Sequence, residues 1–530
     1  MACATLSTRV SAVTPVRRAL LLVALLAAAC APVIPSAPSA TASPSPSPVP
    51  AGGVLRVATA ADVTTLDPWA ATDATTLAAL RQVYETLVDL EPGSFRVVPK
   101  LADHWEMSAD GKTYRFALHP GIRFQDGSPL DAAAVVFDFE RARPIARFDL
   151  GSRVATVAAA DASTVVFTLR EAYAPFLASL ASPSLAIVSP ACVRQDAGWA
   201  TAASRCSGGT GPFRAEPGAW WPGQQLTLTR NTAYWGRDAT GHVLPYLDGV
   251  TFRVYADEPS RAGAVHAASA DVALDLGPAG VAQLRSDPNI QIARRPTYDA
   301  SFLGFAPSGP FGSADVRRAV AMAVDRGAIA QIVYAGDAKV ATQLVPPGLV
   351  GYDPSIMEFA KYDTAAAKKL LADAGQPNGF ATDLWYAASS GPAMPDPKRV
   401  AEAIAADLAK IGIALTLHET DTARIATDAP AGMLPLWLSA RVAARADADD
   451  FLADVTTDAV VRALLQRARA ESDESKRAEL YKQMTKLLQQ HAARLPLFNA
   501  TTPVAASRKV RELVPQPVVG ESYAAVWLGR

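Results

Sequence analysis

The chain has 530 residues, with 50 basic and 51 acidic side chains and a formal net charge of −1. This length allows two or three domains with buried cores, because a single core stops growing near ~250–300 residues. The balanced charge argues against non-specific attraction to nucleic acid or to anionic lipid.

The first predicted element is a secretory signal. An apolar run at 19–29 follows Arg17 and Arg18 and ends at Cys30, and it is shorter than the ~20 residues that cross a bilayer as a helix. Small residues directly before Cys30 are typical of a lipoprotein signal, in which this cysteine receives the lipid; ordinary signal cleavage is the alternative. Residues 31–52 are rich in proline, serine and alanine and are predicted to form a solvated tether. We therefore expect a protein outside the cytoplasm, anchored to the outer face of the cell membrane by lipid alone.

Chemistry-bearing motifs are scarce in the region after the tether. Two cysteines remain there, Cys192 and Cys206, and in an oxidising exterior they are expected to form a disulfide, with two free thiols as the alternative. The six histidines are scattered singly, and no nucleophile elbow, zinc helix or phosphate-binding loop occurs. The sequence predicts no catalytic site, no metal site and no cofactor.

The first half reads as mixed strand and helix. Residues 54–60 are predicted as a strand, 75–89 as a helix from apolar positions at helical spacing, and 225–230 and 250–255 as strands; another helix is expected to begin near Asp131. The second half predicts helices over 313–334, 364–374, 397–411 and 474–492, with Asp363 as an N-cap and Gly375 as a stop. Short strands at 384–387 and 413–417 lie between them, so the predicted class is α/β.

Several short phrases occur together in one order and spacing: LDP at 66–68, YETL at 84–87, DGKTY at 110–114, GTGPF at 209–213 and LPYLD at 244–248. Arg477, Tyr481 and Pro496 add matches near the end. Together they resemble the family 5 extracellular solute-binding proteins of ABC importers, the group of dipeptide-, oligopeptide- and nickel-binding proteins. The resemblance covers about 54–514.

The resemblance implies a type II periplasmic-binding-protein-like fold, with two lobes around a cleft and a third, inserted subdomain. The implied bounds are 53–88, 206–298 and 491–530 for lobe I, 89–205 for the insert and 299–490 for lobe II. It also implies a monomer that captures a small ligand, here a short peptide, and passes it to ABC permease subunits. The alternatives are a nickel, metal-chelate or other small-solute binder, a ligand-presenting sensory receptor and, last, a secreted hydrolase.

The chain departs from the family pattern at two positions. Ala306 stands where the hinge strand usually ends in asparagine, and Ala444 stands where dipeptide binders carry the aspartate for the ligand ammonium. Asp447 or Arg441 could act instead, or the ligand carries no α-amino group.

The candidate ligand-binding residues are Trp69, Asp73, Trp385, Tyr386, Trp437, Arg441 and Asp447. The aromatic side chains would form walls that accept varied ligand groups, and their alternative role is core packing. For Asp73 the alternative is a helix N-cap, and for Arg441 and Asp447 it is a solvated surface pair. Tyr298 and Phe302 are expected to pack at the hinge.

Overall fold

The computed structural model describes residues 51–529 except 146–149, 296–298, 358–359, 392, 443–444, 457 and 517–519. The predicted signal, Cys30 and most of the tether therefore lie outside the described residues, as do Tyr298 and Ala444. Within the described ranges no helix has the length and apolar character that crossing a membrane requires.

The strands of the described residues are numbered in chain order. They are β1 (Val54–Thr59), β2 (Val88–Leu90), β3 (Val97–Pro99), β4 (Ala102–Met107), β5 (Thr113–Leu118), β6 (Val154–Ala159), β7 (Thr164–Leu169), β8 (Phe213–Arg214), β9 (Trp220–Trp221), β10 (Gln225–Arg230), β11 (Gly249–Val254), β12 (Val272–Ala273), β13 (Ile290–Arg295), β14 (Asp299–Phe305), β15 (Ala338–Val340), β16 (Phe380–Ala387), β17 (Ile413–Thr420), β18 (Leu436–Val442), β19 (Arg494–Ala500), β20 (Thr502–Ser507), β21 (Val510–Arg511) and β22 (Trp527–Leu528).

The helices are numbered in the same way. They are α1 (Ala74–Leu80), α2 (Ala132–Ala142), α3 (Leu150–Arg153), α4 (Phe176–Ser179), α5 (Pro190–Gln195), α6 (Glu258–His266), α7 (Pro278–Leu284), α8 (Ala314–Ala323), α9 (Arg326–Tyr334), α10 (Thr364–Asp373), α11 (Pro397–Ala409), α12 (Thr422–Asp428), α13 (Asp449–Leu452), α14 (Ala459–Ala470) and α15 (Glu474–Gln490).

The first sheet has the order β13-β20-β12-β1-β11-β10-β8, with β9 added beside β10. Its central strand β1 pairs in parallel with both β11 and β12. Leu55 and Val57 of β1 are fully buried, because both faces of a central parallel strand are covered. Three distant chain segments therefore build this sheet, which we call the first lobe.

A four-stranded antiparallel sheet, β4-β5-β7-β6, forms the inserted subdomain. Tyr114, Phe116 and Leu118 alternate along β5 and are all buried, as a strand with one face toward a core requires. Helix α2 begins where expected, since the Asp131 side chain accepts a hydrogen bond from the Ala134 N–H at 2.8 Å.

The second sheet has the order β15-β19-β14-β18-β16-β17, and we call the region that carries it, with α8 to α15, the second lobe. The predicted boundary at 491 assigned β19 to lobe I. In the structure β19 pairs with β14 and β15, so it belongs to the second sheet. The chain thus leaves the first sheet after Arg295 of β13 and enters the second at Asp299 of β14, and it returns through Thr501, between β19 and β20. Asp337 lies beside both connections: its carboxylate accepts from Arg294 at 2.7 Å and its carbonyl from the Thr501 N–H at 2.8 Å.

Two predicted helices differ from those found. The helix expected over 75–89 ends at Leu80, because the carbonyls of Gln82 and Val83 accept backbone bonds from Phe213 and Gly211 of the first lobe. The helix expected over 313–334 breaks into α8 and α9, since Val324 is extended and Asp325 caps the second piece. In both places the local pattern loses to backbone bonds made elsewhere, since beside the second break the Asp363 N–H donates to the Met322 carbonyl at 2.9 Å.

Candidate functional site

Trp437 packs against the strand that follows the first connection between the sheets. It lies on β18 opposite Gly304 of β14 and is 7% exposed. A Cβ on Gly304 would meet the indole Cε2 at 2.1 Å, so only glycine allows this close approach. Phe302, on the same strand, is 4% exposed and lies 4.5 Å under the Arg494 guanidinium. Among the described residues, the Trp437 and Phe302 side chains are therefore buried where β14 and β18 pair.

Trp69 fixes the inserted subdomain to the loop after β1. Its indole N–H donates to Asp138 at 2.9 Å, its ring meets Phe139 edge to face at 5.1 Å, and it is 2% exposed. Arg141 bridges Asp138 at 2.8 Å and Asp67 at 2.7 Å. Burial raises the pKa of Asp138 to about 6 despite the Arg141 charge. The structure thus places Trp69 in a core contact.

Asp73 caps helix α1, which is the alternative role considered for it. Its carboxylate accepts from the Thr76 N–H at 2.8 Å and from the Thr64 hydroxyl at 3.0 Å. Both bonds satisfy local groups at the start of the helix.

Trp385 and Tyr386 lie on β16, and neighbouring side chains cover much of each. The His418 ring stacks on Trp385 at 4.5 Å and 19°, and the Arg424 guanidinium lies 4.7 Å from the Trp385 centroid. Tyr386 is 5% exposed, and its hydroxyl donates to Glu419 at 3.4 Å. Tyr386 is therefore buried, whereas Trp385 stays partly exposed beside His418 and Arg424.

Arg441 belongs to a small cationic cluster with Arg494, a residue that the sequence did not single out. Arg441 donates to the Asp450 carbonyl at 2.7 Å and lies 3.4 Å from the Asp454 carboxylate. Arg494 donates to the Asp454 carbonyl at 2.6 Å. Burial and then the Arg441 charge lower the pKa of Arg494 to about 9. The Asp454 carboxylate faces Arg441 and acts on Arg494 only through its charge, so one negative charge stands against two positive ones.

Asp447 is 1% exposed, so it is a buried residue and not a solvated one. Its Oδ1 accepts from the Tyr481 hydroxyl at 2.7 Å and from the Asp449 N–H at 3.0 Å. Its Oδ2 lies 3.5 Å from Arg477 Nε, and burial raises the pKa of Asp447.

A cavity of about 730 Å³ lies between the inserted subdomain and the second lobe. Its wall includes Trp105, Tyr114 and Leu177 from the insert and Val350, Asp447 and Arg477 from the second lobe. This volume lies within the range of small-molecule pockets, roughly 300–1,000 Å³. Asp447 alone among the seven candidate residues lines it.

The seven candidates therefore divide into separate places. Trp385 and Trp437 are register partners on adjacent strands, and Arg441 follows Trp437 along β18. Trp69 and Asp73 lie at the loop and helix after β1, and Asp447 lies at the cavity.

In the described ranges no group of three or more histidine, cysteine or acidic side chains could hold a metal ion. Cys192 and Cys206 form a disulfide with Cα atoms 5.8 Å apart.

Comparison with known proteins agrees with this architecture. The family model for bacterial extracellular solute-binding proteins, family 5 Middle, matches residues 96–461. The chain is 29% identical over 474 residues to the dipeptide-binding protein of Escherichia coli (strain K12), covering 82% of this chain and 87% of that protein. It is 30% identical over 380 residues to glutathione-binding protein GsiB of Salmonella paratyphi A, covering 70% of each.

Solved structures show the same fold. HbpA2 from Haemophilus parasuis aligns with a TM-score of 0.82 and 27% identity, covering 90% of this chain and 100% of that one. The ABC transporter-associated periplasmic binding protein DppA from Helicobacter pylori, solved with the peptide STSA, aligns with a TM-score of 0.72 and 27% identity, covering 91% and 99%. The predicted type II binding-protein fold is confirmed. The chain belongs to the family 5 bacterial extracellular solute-binding proteins.

Proposed function

We propose that this protein captures a short peptide with a free carboxyl terminus, outside the cytoplasm, and delivers it to an ABC-type importer. The observation that carries this proposal is that the chain changes sheet twice at neighbouring places, between Arg295 of β13 and Asp299 of β14 and again at Thr501, with Arg295 paired to Thr502. Two lobes joined in this way can close on a ligand that contacts both, and the bound state is favoured because it alone makes both sets of contacts.

The choice of a peptide rests on relatives and on charge. The similar proteins include a dipeptide-binding protein, a glutathione-binding protein and a structure with a bound peptide. Here Ala444 replaces the expected aspartate, whereas Arg441 and Arg494 leave positive charge in excess beside β14. A ligand carboxylate would balance that charge with charge-assisted hydrogen bonds. We therefore assign the carboxyl end of the peptide to Arg441, with the amino end held by uncharged groups.

The finer parts of the proposal concern the membrane and the partners. A lipidated Cys30 would hold the protein at the outer face of the membrane, and the tether at 31–52 would let the lobes reach the permease subunits. The protein would act as a monomer and would return its ligand chemically unchanged.

Calorimetric titration with three forms of one dipeptide tests the proposal: Ala-Phe, its N-acetyl form and its C-terminal amide. We expect Ala-Phe and the acetyl form to bind with similar affinity and the amide to bind at least about tenfold more weakly. Arg441→Gln should remove that difference, whereas Arg467→Gln, on α14, should leave it unchanged. Heat with haem or with chelated nickel alone, or hydrolysis of the peptide, would overturn the proposal.

A further inference from the structure

The cavity between the inserted subdomain and the second lobe is lined by apolar side chains and a buried polar floor, together with the more exposed Glu474 and the ion pair Glu91–Arg96. Trp105, Val97 and Leu177 come from the insert side and Val350 from the other, and all four pack against the largest apolar core. Tyr114, Asp447 and Arg477 are buried at 2%, 1% and 9% exposure and form the polar part. A ligand that fits must therefore carry a flat apolar body and a compact polar group.

The two charged groups of the floor are incompletely bonded. Arg477 donates through Nη1 to the Glu471 carbonyl at 3.2 Å, while its buried Nε has no hydrogen-bond partner. Asp447 uses Oδ1 for both of its hydrogen bonds, to Tyr481 and to the backbone of Asp449. Its Oδ2 faces Arg477 Nε at 3.5 Å, which is beyond normal hydrogen-bond length. The Asp447 Oδ2 acceptor and the Arg477 guanidinium thus lie side by side with spare hydrogen-bonding capacity, and Nε is the enclosed part of that guanidinium.

This floor selects among ligand groups by charge. The carboxylate and the guanidinium cancel, so an added anion would meet Asp447 and an added cation would meet Arg477, each at low dielectric. A carboxamide is neutral and presents a carbonyl acceptor beside an N–H donor. It can accept from Arg477 and donate to Asp447 at once, which would satisfy both buried groups.

We propose that this cavity is a binding site for an apolar, amide-bearing molecule, with the amide at Asp447 and Arg477 and the apolar body against Trp105. The lining of this cavity includes neither Arg441 nor Arg494. The proposal therefore does not depend on which solute those two residues take.

Three probes of one shape test the proposal in the full mature chain: phenylacetamide, phenylacetate and phenethylamine, each titrated by calorimetry and by saturation-transfer NMR. We expect phenylacetamide to bind at least about tenfold more tightly than the acid and the amine. Ala178→Trp, which places an indole in the cavity wall, should abolish that binding. Ala406→Trp, on the exposed face of α11, is the matched control and should leave it unchanged.

Asp447→Asn tests the floor itself. Asparagine keeps the size of the side chain, and its one oxygen is needed by the Tyr481 hydroxyl and the Asp449 N–H, so an NH2 donor replaces the acceptor that faces Arg477. We expect at least about tenfold weaker binding of phenylacetamide, with dipeptide binding and the melting temperature measured on the same sample. Equal binding of the three probes, no binding of phenylacetamide, or full binding to Ala178→Trp would each overturn the proposal. Loss of dipeptide binding with phenylacetamide binding intact would count against the proposed function instead.

Discussion

The inserted subdomain makes two contacts with the rest of the molecule, and they differ in how completely they are bonded. Toward the first lobe, Lys100 of the insert pairs at 2.9 Å with Glu85 of that lobe, whose carboxylate also accepts from Tyr234, Trp235 and Thr210 at 2.7–2.9 Å. Toward the second lobe, a few polar links such as Tyr173 to Asp449 border a cavity. The first contact fixes the subdomain in place, whereas the second leaves room for a ligand.

Removing the central carboxylate of the first contact should have the largest effect. Glu85→Ala would leave the Lys100 ammonium and three donors without their acceptor in a buried place. We expect the free energy of unfolding to fall by about 3–5 kcal/mol, measured by urea denaturation. Asp103→Ala, at an exposed position of the inserted subdomain, is the control. A loss of unfolding free energy below about 1 kcal/mol for Glu85→Ala would contradict the view that this contact fixes the subdomain, because ordinary surface ion pairs contribute as much.

The carboxylate beside Trp69 should make stability depend on pH. The pKa of Asp138 rises from 3.8 to about 6 in the folded protein, first because of burial. Between these values the unfolded chain ionises while the folded protein holds the proton, so stability falls as pH rises through this window and stays lower above it. The loss should be about 3 kcal/mol.

Asp138→Asn should abolish this pH dependence, whatever its effect on absolute stability, because asparagine does not titrate. The measurement is the free energy of unfolding of both proteins from pH 4 to 7. Parallel curves for the two proteins would show that Asp138 titrates at its ordinary pKa.

A substitution at the contact with the second lobe should lower the stability least. Tyr173→Phe removes the hydroxyl that donates to Asp449 at 3.2 Å, while Arg469 still pairs with that carboxylate at 2.6 Å. We expect a loss of about 1.5 kcal/mol, the lower end for a hydrogen bond to a charged group. Tyr334→Phe, which loses a bond to the neutral Ala393 carbonyl, is the matched control at about 1 kcal/mol. A larger loss for Tyr173→Phe than for Glu85→Ala would reverse the ranking of the two contacts.

Much of the fold could be predicted from the sequence where local rules and tertiary contacts agree. Asp363 caps α10 through the Ala366 N–H, and Gly375 has the positive φ of 87° that ends this helix. Helices α11 and α15 end within two residues of their predicted bounds. The prediction failed at Gln82 and Val83, because their carbonyls bond to a segment more than a hundred residues away. No local pattern carries that information.

The site could be predicted less well, because ligand access depends on strand register and on distant segments. Trp385 meets His418 since β16 and β17 pair in parallel with these two residues opposite each other, and neither strand alone indicates that pairing. Arg477 and Tyr481 were noted as family-like residues one helical turn apart, the spacing that places both on one face. Their common neighbour Asp447 lies on another segment. The cavity itself combines residues from six parts of the chain.

In sequence, three residues separate Arg295 of β13 from Asp299 of β14, and Thr501 alone separates β19 from β20. Two short links side by side define one axis, so twisting or sliding of the lobes would strain at least one of them. Opening should then have a single degree of freedom. One spectroscopic distance between a label on each lobe would describe the whole motion, and a series of ligands should move that distance along one common path.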